Sequence, residues 1–115
     1  MNNIKPDITM DDIDRLDIRV GQILSVDEVP NSRKLMRLTI DLGDHTRTIV
    51  AGIKNERDNP KEIEGLQTLV VVNMAPREMA GVLSEGMLFD IGYADGITPV
   101  LAMPEKPVPN GSRAG

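Results

Sequence analysis

Residues 73–89 read NMAPREMAGVLSEGMLF and set Arg77, Glu78, Ser84 and Glu85 among three methionines, Met74, Met79 and Met87. No two of these make a nucleophile with its base. What they offer is recognition. A guanidinium suits an anion, a hydroxyl donates and accepts, a carboxylate accepts from hydroxyl or amino groups, and thioethers make adaptable apolar contacts. Gly81 and Gly86 permit tight backbone geometry and close approach of a ligand. A second set of charges lies upstream. Residues 31–57 hold six bases (Arg33, Lys34, Arg37, Arg47, Lys54, Arg57) against three acids, a local +3. Residues 1–28 hold seven acids against three bases, a local −4. A basic face on an acidic protein is compatible with this, and so is ordinary solvated charge. His45 falls at an expected hairpin tip and reads as solvated loop.

Enzyme chemistry has little to work with. Catalysis needs a nucleophile–base pair, a metal cluster or paired carboxylates in a pocket. The chain has no cysteine and one histidine, and its carboxylates follow no motif of fixed spacing. No glycine-rich phosphate loop is present. The expectation is therefore no catalytic residue, no metal and no cofactor. A net charge of −5 opposes indiscriminate nucleic-acid binding. Two rings in the whole chain, Phe89 and Tyr93, oppose binding of single strands by base stacking.

The elements that must position these residues follow from patterning. At 115 residues the chain is one domain, and 40% hydrophobic with 27% charged residues places it among globular chains. Its start, MNNIKPDITMDD, shows no signal-peptide pattern, and no apolar run reaches the length of a membrane helix. A cytoplasmic protein is expected. Residues 7–16 predict a short helix with Thr9 as cap, Asp11 and Asp12 in its first turn, and Ile13 and Leu16 as an apolar edge. Alternation from Ile18 predicts a strand that Gly21 bends. VPNSRK (29–34) is a turn-rich loop, and 35–53 predicts a β-hairpin reversing at Gly43-Asp44-His45. NPKEIEG (59–65) predicts a short helix with Asn59 as cap and Pro60 at its first position. Strands are expected at 66–73, around Phe89 and Ile91, and at 100–102. The proline-rich tail either packs down or docks on a partner. This order predicts an all-β fold, a five-stranded Greek-key barrel of the OB type with short helices. An SH3-like barrel is the alternative, disfavoured by the helix between the third and fourth strands.

LDIRVGQI (16–23), VPNSRKLM (29–36), RTIVAGI (47–53), VVVNMAPREMAGVLSEGMLF (70–89) and VPNGSRAG (108–115) together resemble the tRNA-binding domain. That domain is appended to methionyl-tRNA synthetases and occurs in endothelial monocyte-activating polypeptide, in free-standing dimeric tRNA-binding proteins and in the CsaA chaperones. The resemblance implies an OB barrel and a homodimer, with dimerisation extensions at both ends. Its boundaries would be an extension at 1–15, a barrel at 16–92 and a second extension at 93–115. It implies recognition of folded tRNA by shape, which uses phosphate and 2′-hydroxyl contacts and needs no stacking rings. The RNA-binding residues it implies are Asn31, Arg33, Lys34, Arg37, Arg77, Ser84, Glu85 and Met87. Further partners would be an unfolded polypeptide or an aminoacyl-tRNA synthetase, without a membrane.

The sequence also departs from the family pattern. Arg33 replaces an aspartate and Ser32 an alanine, which leaves the aspartate's loop-ordering role unfilled. Ala51 stands where many tRNA-binding members have serine. Ala75, Glu78 and Ala80 occupy positions that often carry bases in the tRNA binders. Pro76-Arg77 and Ala80-Gly81 followed by Ser84-Glu85, with the tail Pro107–Gly111, look closer to CsaA, whereas Gly86-Met87 looks closer to the tRNA binders. A CsaA-like chaperone function is the alternative to tRNA binding. Ile8, Ile13, Leu16, Val108 and Ala114 make the two ends too apolar to be purely solvated.

Overall fold

Capping chemistry starts the described chain, which in this computed structural model covers residues 3–115. Helix α1 (Met10–Asp14) begins at Thr9, whose hydroxyl accepts from the Asp12 amide at 3.3 Å. The Asp12 carboxylate accepts in return from the Thr9 amide at 3.1 Å. This reciprocal cap fixes the start. The helix is shorter than 7–16 and buries none of its residues. With no face packed, nothing rewards its extension.

The strands are β1 (Ile18–Glu28), β2 (Met36–Asp41), β3 (Thr46–Ala51), β4 (Gln67–Val71), β5 (Arg77–Met79), β6 (Val82–Ser84), β7 (Met87–Leu88) and β8 (Arg113–Ala114). All pairings are antiparallel. The main sheet runs β3-β2-β1-β4-β7, β8 joins β1, and β5-β6 form a separate hairpin. The long β1 serves two sides of the curl: Ile18–Gln22 pair with β4, and Gln22–Glu28 pair with β2. Its register shifts between Ile23 and Ser25, so the bulge is at Leu24 and not at Gly21 as expected. Gly21 serves close packing instead, since a Cβ there would lie 2.3 Å from Ile40 Cγ2.

Inside the curl, Ile23, Val26, Leu38, Ile40, Ile49 and Val70 are fully buried, and Ile63 joins them. Phe89 and Tyr93 remain exposed, so the core is aliphatic. Each such buried side chain contributes about 1.5–3 kcal/mol. Ile63 comes from the expected short helix, which is a single 3₁₀ turn at Pro60–Ile63; Asn59 caps it, accepting from the Lys61 amide at 3.1 Å. Only four residues separate its caps, too few for an α-helical hydrogen-bond ladder.

Two of the late strands are smaller than the patterning predicts. Ile91 and Val100 meet only in an isolated bridge. Residues 101 and 102 form no strand, although the Ala102 carbonyl accepts from the Leu69 amide at 3.0 Å. The tail packs down. Where β2 leaves β1, the tail takes over that edge: Gly111 N–H donates to Val20 O (2.7 Å) and Val20 N–H to Ser112 O (2.8 Å). Then β8 continues against Ile18 and Arg19. No helix among the described residues is long and apolar enough to cross a membrane.

Candidate nucleic-acid interface

The loop after β1 is held by its own backbone and by its neighbour. Ser32 N–H donates to Val29 O (3.2 Å), and the Ser32 hydroxyl accepts from the Leu35 amide (3.0 Å). Ser32 thus fills the ordering role that the sequence left vacant at position 33. Asn31 sits at φ +64, a left-handed conformation that asparagine tolerates well. Opposite, Asn55 Nδ2 donates to Arg33 O (3.2 Å) and Lys54 N–H to Lys34 O (3.1 Å). The frame is pinned while the side chains of Asn31, Arg33 and Lys34 stay exposed, as does Arg37 on β2.

The six bases of 31–57 then divide cleanly. Lys54 pairs with Glu28 at 3.1 Å, and Arg57 lies 3.7 Å from Glu56 and 3.6 Å from Glu62. Arg47 is bound to carbonyls, as described below. Arg33, Lys34 and Arg37 have no hydrogen-bond or ion-pair partner for their charges among the described residues. Arg19 is likewise committed, donating to both Asp17 oxygens at 2.9 and 3.1 Å. That guanidinium holds the Asp17 carboxyl below its usual range, with Arg113 and Arg47 adding to the effect.

Residues 73–84 form an excursion built on the β5-β6 hairpin. Its turn, Ala80-Gly81, has φ of +49 and +82, the two positive values of a type I′ turn that matches the strand twist. Arg77 is exposed and its charge has no partner among the described residues; neither Glu78 nor Glu85 engages it. The excursion is stapled at both ends by one side chain. Arg47 Nη1 donates to Val72 O (2.6 Å) and to Glu85 O (3.1 Å). Arg47 Nε in turn donates to His45 Nε2 (3.2 Å), and His45 Nδ1 lies 2.6 Å from Asp44 Oδ1. His45 is therefore not simply solvated loop; it buttresses the staple. Asn73 ties the same segment to the first helix, donating to Arg15 O (2.7 Å) and accepting from the Asp17 amide (3.0 Å).

Ser84 and Glu85 face the barrel more than a ligand. Ser84 is 3% exposed; its hydroxyl accepts from the Val50 amide (3.0 Å) and donates to Gly86 O (3.1 Å). The Glu85 N–H donates to Thr48 O (2.8 Å) while its Oε1 accepts from the Thr48 amide (3.0 Å). These bonds satisfy the outer donors of β3 and close the curl between β3 and β7. Glu85 also borders a recess of about 350 Å³ with His45, Arg47, Met74 and Pro76. Gly86 is required for closeness: a Cβ there would lie 2.7 Å from Val71 O. Met87 is 45% exposed.

One lateral row joins the two sets. Arg37 pairs in register with Val50, Val50 donates to Ser84, and Ser84 pairs with Arg77. Of the expected residues, Asn31, Arg33, Lys34, Arg37, Arg77 and Met87 are presented to solvent, while Ser84 and the bonded oxygen of Glu85 support the frame. Sequence reasoning missed Arg47, Asn73 and Ser32 as positioning residues. Only the polarity of Ser32 beside a turn hinted at its role; the partners of Arg47 are distant backbone carbonyls that no spacing reveals.

Residues 18–113 match the family described as "Putative tRNA binding domain". Over 109 residues the chain is 42% identical to a methionine–tRNA ligase of Bacteroides fragilis, covering 95% of this chain and 16% of that protein. The chain therefore spans about a sixth of the curated relatives it matches. Among solved structures, a MetRS related protein from Pyrococcus horikoshii superposes with a TM-score of 0.87 at 32% identity, covering 96% of this chain and all of that one. The chaperone CsaA from Bacillus anthracis superposes at 0.82 with 31% identity and 96% coverage, again over 100% of that chain. The chain belongs to the tRNA-binding domain family.

Proposed function

We propose that the chain is a non-catalytic module that grips structured tRNA by shape and backbone contacts, working as a homodimer in the cytoplasm. The observation that carries this reading is the division of the bases. Arg33, Lys34, Arg37 and Arg77 are uncommitted on a hydrogen-bonded frame, while Lys54, Arg57, Arg47 and Arg19 are consumed internally. Unpaired cations on a rigid surface suit phosphates, and Asn31 with the half-buried Glu85 supplies donors and acceptors for 2′-hydroxyls. Residues 16–92 would be the RNA-binding barrel, with 1–15 and 93–115 as flanking extensions. The homodimer is supported by exposed apolar residues on those extensions: Ile4, Ile8, Met10 and Ile13 on one, Tyr93, Ile97 and Met103 on the other. The test is fluorescence anisotropy at low salt with folded tRNA against an unstructured RNA of equal length. Preference for the folded species supports the reading, and equal or absent binding overturns it. Sedimentation giving a single species near 12.6 kDa at micromolar concentration overturns the dimer.

A second reading rests on the same apolar residues and on the net charge of −5. They would suit an unfolded polypeptide, as in the CsaA chaperones this chain resembles in structure. This activity would slow aggregation of a denatured client with little dependence on salt; unchanged aggregation at excess protein counts against it.

A further inference from the structure

The tail carries the dipeptide Asn110-Gly111 at the joint where it docks. Both residues are imposed by packing. Gly111 has φ +91, and a Cβ on it would lie 2.3 Å from Leu42 O, so no other residue fits there. Asn110 uses its whole amide: Oδ1 accepts from Gln67 Nε2 (2.8 Å), and Nδ2 donates to Gln22 Oε1 (3.1 Å) and Asp41 Oδ2 (3.3 Å). Gln22 cannot readily turn its amide round, because its Nε2 donates to Gly65 O (3.2 Å).

An asparagine followed by glycine is chemically labile, since no side chain on the second residue hinders attack by its backbone nitrogen. We infer that Asn110 is a site of spontaneous deamidation, held in check while the tail is docked, and that its conversion releases the tail irreversibly. In the reaction the Gly111 nitrogen gives its proton to solvent base and attacks Asn110 Cγ. The N–Cγ bond forms, the Cγ–Nδ2 bond breaks, and ammonia departs with a proton from water. A second water opens the resulting five-membered imide at either carbonyl, leaving aspartate or isoaspartate. No oxidant or reductant takes part.

Docking blocks the first step. The attacking nitrogen is tied up as Gly111 N–H donating to Val20 O at 2.7 Å, and the target amide is fixed by its three bonds. Reaction therefore needs the tail to open locally, and opened segments lose such protection. The product does not fit back. An oxygen replaces Nδ2 and faces the Gln22 carbonyl oxygen and the Asp41 carboxylate, so two donations become acceptor–acceptor and like-charge contacts. Release would uncover the backbone edge of β1 at Ile18–Val20, which β8 and Ser112 now pair. The device is a one-way latch whose rate reads how often the tail opens.

The experiment incubates the intact chain at mildly alkaline pH and follows isoaspartate and aspartate at position 110 by peptide mapping. The same chain in urea and the Gln67→Ala variant, which loses three bonds to the tail, are run alongside. Asn110→Asp is examined by hydrogen exchange at the Val20 and Gly111 amides, with Leu38 and Ile40 reporting on the barrel. The expected result is deamidation about tenfold or more slower in the native chain than in urea. Gln67→Ala should fall in between, and Asn110→Asp should lose protection at Val20 and Gly111 while keeping it in β2. Equal rates in native and unfolded chains overturn the latch. So does an Asn110→Asp variant whose Gly111 amide stays protected.

Discussion

Arg47→Ala separates a residue that builds the interface from residues that touch RNA. The guanidinium joins the carbonyls of Val72 and Glu85, the two ends of the excursion that carries Arg77. Hydrogen bonds from a charged donor contribute about 1.5–3 kcal/mol each, and Arg47 is only half-buried, so the pair together stabilises by about 2–4 kcal/mol. For a chain of this size that lowers Tm by roughly 8–16 °C, at ~4 °C per kcal/mol. Arg47→Lys, with a point charge in place of a planar fork, should recover about half of the loss. Melting by circular dichroism gives Tm, and hydrogen exchange at the Thr48 and Val50 amides reports the seam between β3 and residues 84–85. RNA binding by the fraction that remains folded should keep its salt dependence, because no phosphate contact is removed. A near-wild-type Tm together with a shallower salt dependence would refute this reasoning and make Arg47 a phosphate contact.

Three further outcomes follow from the same geometry. Ser84→Ala strands the buried Val50 amide and should cost about 1–3 kcal/mol in urea unfolding without changing the salt slope of RNA binding. A loss of binding in a variant of unchanged stability would place Ser84 against the ligand instead. Ala80→Gly relieves a left-handed alanine at φ +49 and should stabilise by about 0.5–1 kcal/mol, read from the denaturation midpoint. Glu56 is raised above its ordinary value chiefly by burial, with Asp90 reinforcing it and Arg57 opposing. The folded state then holds its proton more tightly than the unfolded one, so this group's contribution to stability falls as pH rises from the ordinary glutamate range through the raised value. Glu56→Gln should accordingly flatten that fall, gaining on the parent at neutral pH and losing the advantage near pH ~4; a variant equally destabilised at both pH values would contradict it.

What could be read in advance divides along a physical line. The hairpin of β2 and β3, the Thr9 cap, the Asn59–Pro60 turn and the aliphatic core were legible because alternation, capping and turn chemistry are local. The misplaced bend in β1 shows the limit: Gly21 looks like a kink, but its role is contact with Ile40 on the next strand. The β5-β6 hairpin was hidden because Ala80 takes a conformation its type disfavours. The exposed cations of the candidate interface could be seen from composition and resemblance. Which bases stay free, and the support roles of Ser84, Arg47 and Asn73, depend on partners far away in sequence. Ser32 differs, since its bond to Leu35 is local and could have been anticipated as a hydroxyl turn.

The central claim is that four uncommitted cations meet the phosphates of folded tRNA. The most direct measurement is the slope of log K against log salt for wild type and for Arg33→Ala, Lys34→Ala, Arg37→Ala and Arg77→Ala. With about 0.7–0.9 of slope per phosphate contact, four contacts give a wild-type slope of roughly −2.8 to −3.6, and each variant should lower its magnitude by about 0.7–0.9. A near-zero slope, or a slope that none of the four variants changes, would contradict the account.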